Sequence, residues 1–477
     1  MNRDQPELKT PAKVSLAAIA ALLVIAIIFF KERALFADAA YTIFNVLNEH
    51  SINLSNQRYG AFITKLVPYL GQNLHFPIKY ILFGYAVVGN VFLLIVTALF
   101  VYVFKQYKFA ILLALFSLLI VSDSFFMLAD IYTGISWMFL FFAVTIHLER
   151  KRVSMALLSL PFILLGYLAI TTHFIIIIPT IFLWVYFILD KDAWPFRTKQ
   201  SIFLSALLVA VIAGKMRITA DKSYDSSHLH GVTHFSIKDV IKAFTKPTVT
   251  IFLYRCIVNY WAAVIVFISG IVYLAKERKI QLLVWTVISV MGYIVLMGLS
   301  YGDMDANTLL CHIELEWECL GLIVATPFVF VVLPKIKTST ASLLLACIFI
   351  IRLVYILSFS PAYSLRTKME EDILSRMRKK EITKLALYND PHLMSVARIY
   401  WALPYETTIA SAINGDKPQL TFFFVNPDDK KAIEEIKDPK GFYNVWFMTP
   451  CNILNKEYFN IDSTQRYQVM TYAEFLK

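Results

Sequence analysis

Apolar runs of roughly bilayer-spanning length recur along this chain until Phe359, and short charged loops separate them. A helix needs roughly 20 apolar residues to cross the hydrocarbon core. The runs predict spans near 14–30, 78–104, 109–121, 131–148, 153–170, 174–189, 201–214, 249–274, 282–299, 320–333 and 341–359. Those at 109–121 and 201–214 are short, so the count of about eleven depends on how far their ends reach into the flanking loops. Within the loop 31–77 the pattern changes. Tyr41, Phe44 and Leu47, then Phe62, Leu66 and Leu70, recur at helical spacing with polar residues opposite, which predicts two amphipathic helices lying along the membrane surface. After Phe359 hydropathy drops. A charged helix over 370–384 and short β-type runs at 385–388, 420–425 and 443–448 predict a small α/β domain over 361–477, beside a transmembrane domain over 1–360. The fold class is therefore mainly α, a polytopic helical membrane protein with a small carboxy-terminal α/β domain.

Composition agrees: 58% of the 477 residues are hydrophobic and only 17% charged. No single soluble core absorbs so much apolar surface. Lys and Arg concentrate in alternate loops, at Lys105 and Lys108, Arg150 to Arg152, Lys191 to Lys199, Lys276 to Lys279, and Lys335 and Lys337, whereas the turns 122–130, 171–173 and 300–318 contain neither. The positive-inside rule makes the basic loops cytoplasmic. The amino terminus is then inside, and the loops 31–77 and 215–247 and the carboxy-terminal domain are extracytoplasmic, on the outer face of a cytoplasmic (inner) membrane. Topology thus accounts for the net charge of +11 without any nucleic-acid partner. The first span has Lys31-Glu32-Arg33 behind it and no small-residue cleavage site, so it reads as a retained anchor. Five cysteines form no disulfide framework: two of the outward Cys311, Cys319 and Cys451 would pair only by leaving the third over, and buried thiols are the reading preferred.

Ionisable groups at the edge of the apolar region cost about 2.5–3.5 kcal/mol each on insertion scales, so each needs a reason. Asp38 follows directly on the first span, in Phe36-Ala37-Asp38-Ala39-Ala40-Tyr41, and Asn56-Gln57-Arg58-Tyr59-Gly60 comes later in the same loop. Asp123 and Asp130 stand two helical turns apart and either face one cavity or mark a polar turn. Arg255 and Arg352 lie at similar depths below the outward ends of their spans. A lipid phosphate suits the guanidinium fork, and snorkelling toward headgroups is the alternative. The acids Asp303, Asp305, Glu314, Glu316 and Glu318 beside His312 form either a divalent-cation site or, more commonly for such runs, a solvated acidic face. His228, His230 and His234 have a spacing compatible with zinc, but without Cys or an ordered helix the reading preferred is a polar loop.

The order span, Asp-Ala-Ala-Tyr, amphipathic helix, Asn-Gln-Arg-Tyr-Gly, second amphipathic helix resembles the first outward loop of the C-type (GT-C) membrane glycosyltransferases that use polyprenyl-phosphate sugars. Asp130-Ile-Tyr-Thr-Gly-Ile-Ser-Trp137 is similar to the Ser-Gly-Leu-Glu-Thr segment of that family. The chain departs from the pattern at Ala37 and Ser136, where the family often carries acids, and lacks an Arg over 308–319. The resemblance implies an inverting transfer from a polyprenyl-phosphate-sugar donor to a glycan, lipid or protein acceptor. Asp38 would be the general base, and Asp130 would orient the acceptor or hold a divalent cation. Arg58, Arg255 and Arg352 would stabilise the departing lipid phosphate. A transporter or lipid flippase, or a non-catalytic membrane protein with a binding carboxy-terminal domain, remains as an alternative.

Overall fold

The computed structural model describes residues 6–52, 54, 57–190, 195–219, 235–302, 310–443 and 448–477. Among them, eight helices are long and apolar enough to cross a membrane: Pro6–Ile28, Ile78–Val103, Ile131–Arg150, Met155–Thr172, Thr198–Ile218, Ile280–Tyr301, Leu310–Lys335 and Thr338–Lys379. Two shorter apolar helices, Tyr107–Leu119 and Phe174–Leu189, fall where further spans are expected. This is a mainly helical, multi-pass membrane protein. Leu310–Lys335 is its axis, with 89% of its apolar window buried against 22% for the peripheral Thr198–Ile218.

Two expectations change here. The run 249–274 is not one straight span: the chain bends by 86° between Ile237–Val258 and Trp261–Lys276. The Arg255 carbonyl accepts from both Asn259 N (2.7 Å) and Tyr260 N (2.9 Å), which ends the first helix, and the buried Tyr260 begins the turn into the second. The second change concerns the acids of 300–318. Asp303 and Asp305 lie outside the described residues, but Glu314, Glu316 and Glu318 are not a solvated face. They sit on the first turns of Leu310–Lys335 and are almost fully buried. His228, His230 and His234 also lie outside the described residues.

The loops sort by charge. At one end Lys335 pairs with Glu277 (3.4 Å), Lys279 with Asp190 (3.1 Å), and Gln200 reaches Glu149 (3.5 Å). The other end carries the 31–77 segment and the carboxy-terminal segment. The last apolar run does not stop at Phe359. It continues through Pro361 as one 42-residue helix, Thr338–Lys379, about 63 Å long at 1.5 Å per residue, so the charged helix expected from 370 is its extension. Beyond it, β1 (Lys384–Tyr388) pairs in parallel with both β2 (Thr421–Val425) and β5 (Gln468–Met470), and β3 (Gly441–Tyr443) pairs antiparallel with β4 (Met448–Pro450). Of the expected strands, the first two are β1 and β2, and the third falls partly outside the described residues.

The carboxy-terminal segment covers the first of the two amphipathic helices. Phe44 of Asp38–Glu49 stacks on Phe459 (4.4 Å between centroids) and Phe442 (5.3 Å), and Tyr41 packs edge-on against Trp401 and Tyr405. The apolar face expected against lipid is therefore a protein interface. The second helix, Phe62–Asn73, keeps the interfacial character, with Leu70, Leu74, Phe76 and Tyr80 on and after it exposed.

A charged latch joins the same two parts of the chain. Arg398 donates to both oxygens of the buried Asp123 (2.9 and 3.1 Å), and the Tyr363 hydroxyl donates to the same carboxylate (3.0 Å). Asp123 therefore does not face a common cavity with Asp130. A double-mutant cycle of Asp123→Asn with Arg398→Gln, read by thermal unfolding in detergent, should give a coupling of about 1–3 kcal/mol, because loss of the half-buried Arg398 leaves the buried Asp123 carboxylate without its cation.

Candidate functional site

Asp38 is the first residue of the helix Asp38–Glu49 and has no side-chain cap before it. The residue is solvent-exposed although much protein lies around its carboxylate, and it is not on the wall of the cavity that opens beside Asp130. That burial raises its pKa above the ordinary carboxylate value; His312 and Arg58 act against the shift and Asp130 adds to it. Four charged or titratable groups thus converge from four segments: the first-loop helix, the 57–60 turn, the start of Ile131–Arg150 and the start of Leu310–Lys335. Tyr85 links Asp38 to Asp130, since both charges act on it and its side chain bonds Thr42.

Lys65 joins this group from the helix Phe62–Asn73. It is 5% exposed, and among the described residues it makes no hydrogen bond or ion pair; only the fields of Asp130 and Arg58 act on it. Burial lowers its pKa, with Asp130 opposing and Arg58 adding. A buried ammonium held short of a contact partner is a group that takes an anion when one arrives. Sequence patterning missed it because Phe62, Leu66 and Leu70 define the lipid-facing stripe, and the opposite face, Lys65, Pro68 and Gln72, is the one that packs inward.

The two motif segments dock on each other. The Arg58 guanidinium stands 3.9 Å from Asp130, and Trp137 Nε1 donates to the Gly60 carbonyl at 3.0 Å. Gly60 also packs tightly on the helix Met155–Thr172: a Cβ there would lie 2.0 Å from the Leu168 carbonyl oxygen and 1.9 Å from the Thr172 hydroxyl. Ser136 faces its own helix, donating to the Tyr132 carbonyl (2.8 Å). Beside Asp130 opens a cavity of about 30 Å³, room for one or two waters, whose wall includes Arg33, Thr64, Tyr85, Asn90 and Tyr132. Neither Arg255 nor Arg352 is on that wall.

Arg352 has a different role from the one expected. It is fully buried, and its guanidinium donates to the carbonyls of Leu118 (2.9 Å), Val121 (2.8 Å) and Asn259 (2.5 Å). The first two terminate Tyr107–Leu119 and the third terminates Pro247–Val258, so one cation caps two helix ends whose carbonyls have no helical partner. Arg255 lies in the same neighbourhood, where its charge acts on Tyr260, and it is not among the charges acting on Asp38 or Lys65. Both arginines lie near Tyr260, but Arg352 there serves backbone carbonyls and Tyr260 serves Glu314. Glu314 accepts from Ser122 N (3.0 Å), Ser124 N (2.8 Å) and the hydroxyls of Ser122 and Tyr260. Glu318 accepts from Ser124 and Tyr132.

The residue before Asp38 is strained. Ala37 has φ +44° and ψ −113°, a region that costs a residue with a side chain roughly 1–3 kcal/mol. Its N–H donates to Glu406 Oε1 at 2.7 Å, and the other Glu406 oxygen pairs with Arg366, which also pairs with Glu370. Among the described residues, no group of three or more His, Cys, Asp or Glu side chains could hold a metal ion. No protein family, curated protein or solved structure matches this chain.

Arg352→Ala should lower unfolding stability by about 3 kcal/mol, because three buried carbonyls lose their donor. Arg352→Lys, with a point charge in place of the fork, should recover only part of it. Thermal melting in detergent checks both, and a variant as stable as wild type would contradict the capping role.

Proposed function

We propose that the chain is a membrane glycosyltransferase that moves a sugar from a polyprenyl-phosphate donor to an acceptor hydroxyl. The observation that carries this reading is the solvent-exposed Asp38, its carboxylate displaced toward basicity by the protein around it, with Arg58 and His312 acting on it and the buried Lys65 sharing the fields of Arg58 and Asp130. A general base works best when its pKa is raised toward the working pH, and that is the direction in which this site moves it. Asp38 removes the acceptor proton as the acceptor oxygen attacks the sugar's anomeric carbon. The bond from that carbon to the phosphate oxygen breaks on the opposite face, and the lipid phosphate leaves with inversion. Arg58 and Lys65 supply positive charge to the departing phosphate, where a preorganised field has its largest effect, and Asp130 holds Arg58 in place. Lys65 takes the part that the sequence suggested for Arg255 and Arg352.

Orientation follows from the charge-sorted loops. With the basic end cytoplasmic, the amino terminus is inside, and Asp38 and the carboxy-terminal segment face the extracytoplasmic side of the cytoplasmic membrane. The acceptor, whether glycan, lipid or protein, then approaches from that side. The broken helix at 259–260 is a feature shared with transporters. Here, however, Arg352, Tyr260 and Glu314 fill the break with hydrogen-bonded protein, which favours an interfacial enzyme over a carrier.

Asp38→Asn should reduce transfer by roughly 10²–10⁴-fold while the protein still inserts and remains monodisperse. Release of free lipid phosphate from polyprenyl-phosphate sugars is the assay, and normal turnover by the variant would remove Asp38 from the mechanism. The base must be ionised, so activity falls as pH drops through the Asp38 pKa. The acidic limb of the rate profile should therefore lie above the ordinary Asp value of about 3.9. Lys65→Met should raise the donor KM by roughly 10-fold or more, because a charge-assisted contact to phosphate contributes on the order of 1.5–3 kcal/mol.

A further inference from the structure

The carboxy-terminal segment could do no more than sit over the first loop, since aromatic packing alone would hold it there. One contact goes further. Glu406 lies on the helix Leu403–Ile413 and is fully buried, and it reaches across the interface to the backbone N–H of Ala37, the residue immediately before Asp38. Ala37 is the only positive-φ residue next to the candidate base, and ψ of Ala37 together with φ of Asp38 sets the direction in which the Asp38 side chain leaves the backbone.

The clamp is itself braced. Arg366 pairs with the second Glu406 oxygen, donates to the carbonyls of Ala397 (3.0 Å) and Ile399 (3.1 Å), and lies over the Phe36 ring at 5.0 Å from its centroid. Phe36 in turn packs edge-on against Tyr363 at 5.1 Å. The dipeptide Phe36-Ala37 is therefore gripped by side chain and backbone together. A carboxylate at this point also complements the unsatisfied N–H groups that open the helix Asp38–Glu49, where no side chain of the loop provides a cap.

We propose that Glu406 is a positioning residue that holds Ala37 in its positive-φ conformation and so aims Asp38 toward Arg58, His312 and Asp130, making the carboxy-terminal segment part of the site. The aiming is a statement about geometry. Its kinetic consequence rests on the sugar-transfer reading given above.

The test separates the two. Cys347, unlike the buried thiols expected from the sequence, is exposed; replace Asp38 with cysteine in a Cys347→Ser background, and measure its alkylation by a small charged thiol reagent in the full-length protein, with and without Glu406→Ala. Loss of the clamp should change the alkylation rate by at least several-fold. Glu406→Gln, whose amide oxygen still accepts from Ala37 N–H, should stay near the parent rate. Adding Ala37→Gly to Glu406→Ala should restore it, since glycine holds φ above zero without a clamp. If Glu406→Ala does not fold, Glu406→Met keeps the volume, removes the acceptor and carries the same expectation. In the enzyme with Asp38 intact, Glu406→Ala should lower kcat by roughly 10²-fold with little change in donor KM, the mark of a misaimed reacting group. An alkylation rate indifferent to the clamp overturns the positioning role, whatever the protein catalyses. A rate that responds as expected in a protein that transfers no sugar supports the positioning role and leaves only the sugar-transfer reading refuted.

Discussion

Backbone groups freed by helix breaks in an apolar medium must find partners inside the protein, and this requirement organises the bundle. Hydrocarbon supplies no hydrogen bonds, so every interrupted helix needs polar side chains at its ends. Arg352 meets the need at two helix C-termini at once, and Glu314 meets it for the N–H groups of Ser122 and Ser124. Arg33 does so on another wall for the turn carbonyl of Phe125 (3.1 Å), and anchors itself on a neighbouring helix through the Ala86 carbonyl (2.8 Å) and Asn90 Oδ1 (2.9 Å). These are buried charges, but their hydrogen-bonding capacity is taken up by the fold.

Hydrogen-bond saturation therefore separates two kinds of charge that look alike in a sequence. Arg352 and Glu314 are saturated by backbone and hydroxyls, which suits a fixed scaffold. Lys65 has no such partners among the described residues, and Asp38 remains accessible to solvent. A site that must receive and release a charged substrate needs groups of this second kind, because a charge already fully hydrogen-bonded gains little from a ligand and loses much by letting go of its partners. Asp123 belongs to the first kind, since Arg398 and Tyr363 hold it as the latch between bundle and carboxy-terminal segment.

Much of the layout was legible from the chain. The apolar runs mark the helices because bilayer thickness fixes their length, and Asp38 stood out because an acid directly after a span needs a reason. The segments Arg58-Tyr59-Gly60 and Asp130 to Trp137 each stood out as motifs, and the contacts at 3.9 and 3.0 Å bring the two together. Other features had no local signal. The bend at Asn259 interrupts a run that reads as one span, and it is stabilised by Arg352, 93 positions away, through a contact that periodicity cannot encode. Glu314, Glu316 and Glu318 resemble a solvated acidic face because their hydroxyl and amide partners come from other segments. Lys65 was hidden for a related reason: amphipathic spacing finds the apolar face of a helix but does not say whether the polar face meets water or a protein chamber.

One helix face connects these elements. Along Thr338–Lys379, Arg352, Ile356, Tyr363, Arg366, Glu370 and Ile373 are all buried and recur at spacings of three, four and seven, a single stripe. Its lower part, Arg352, closes the helix break. Tyr363 holds Asp123 where the bundle ends, and Arg366 with Glu370 braces Glu406 behind Ala37. Because the helix runs unbroken for 42 residues, these three junctions are fixed relative to one another by its regular rise. A hinge between bundle and carboxy-terminal segment would let Asp38 wander from Arg58 and Lys65. Continuous helix removes that freedom, and with it much of the reorganisation that a buried, charged site would otherwise undergo before it could act.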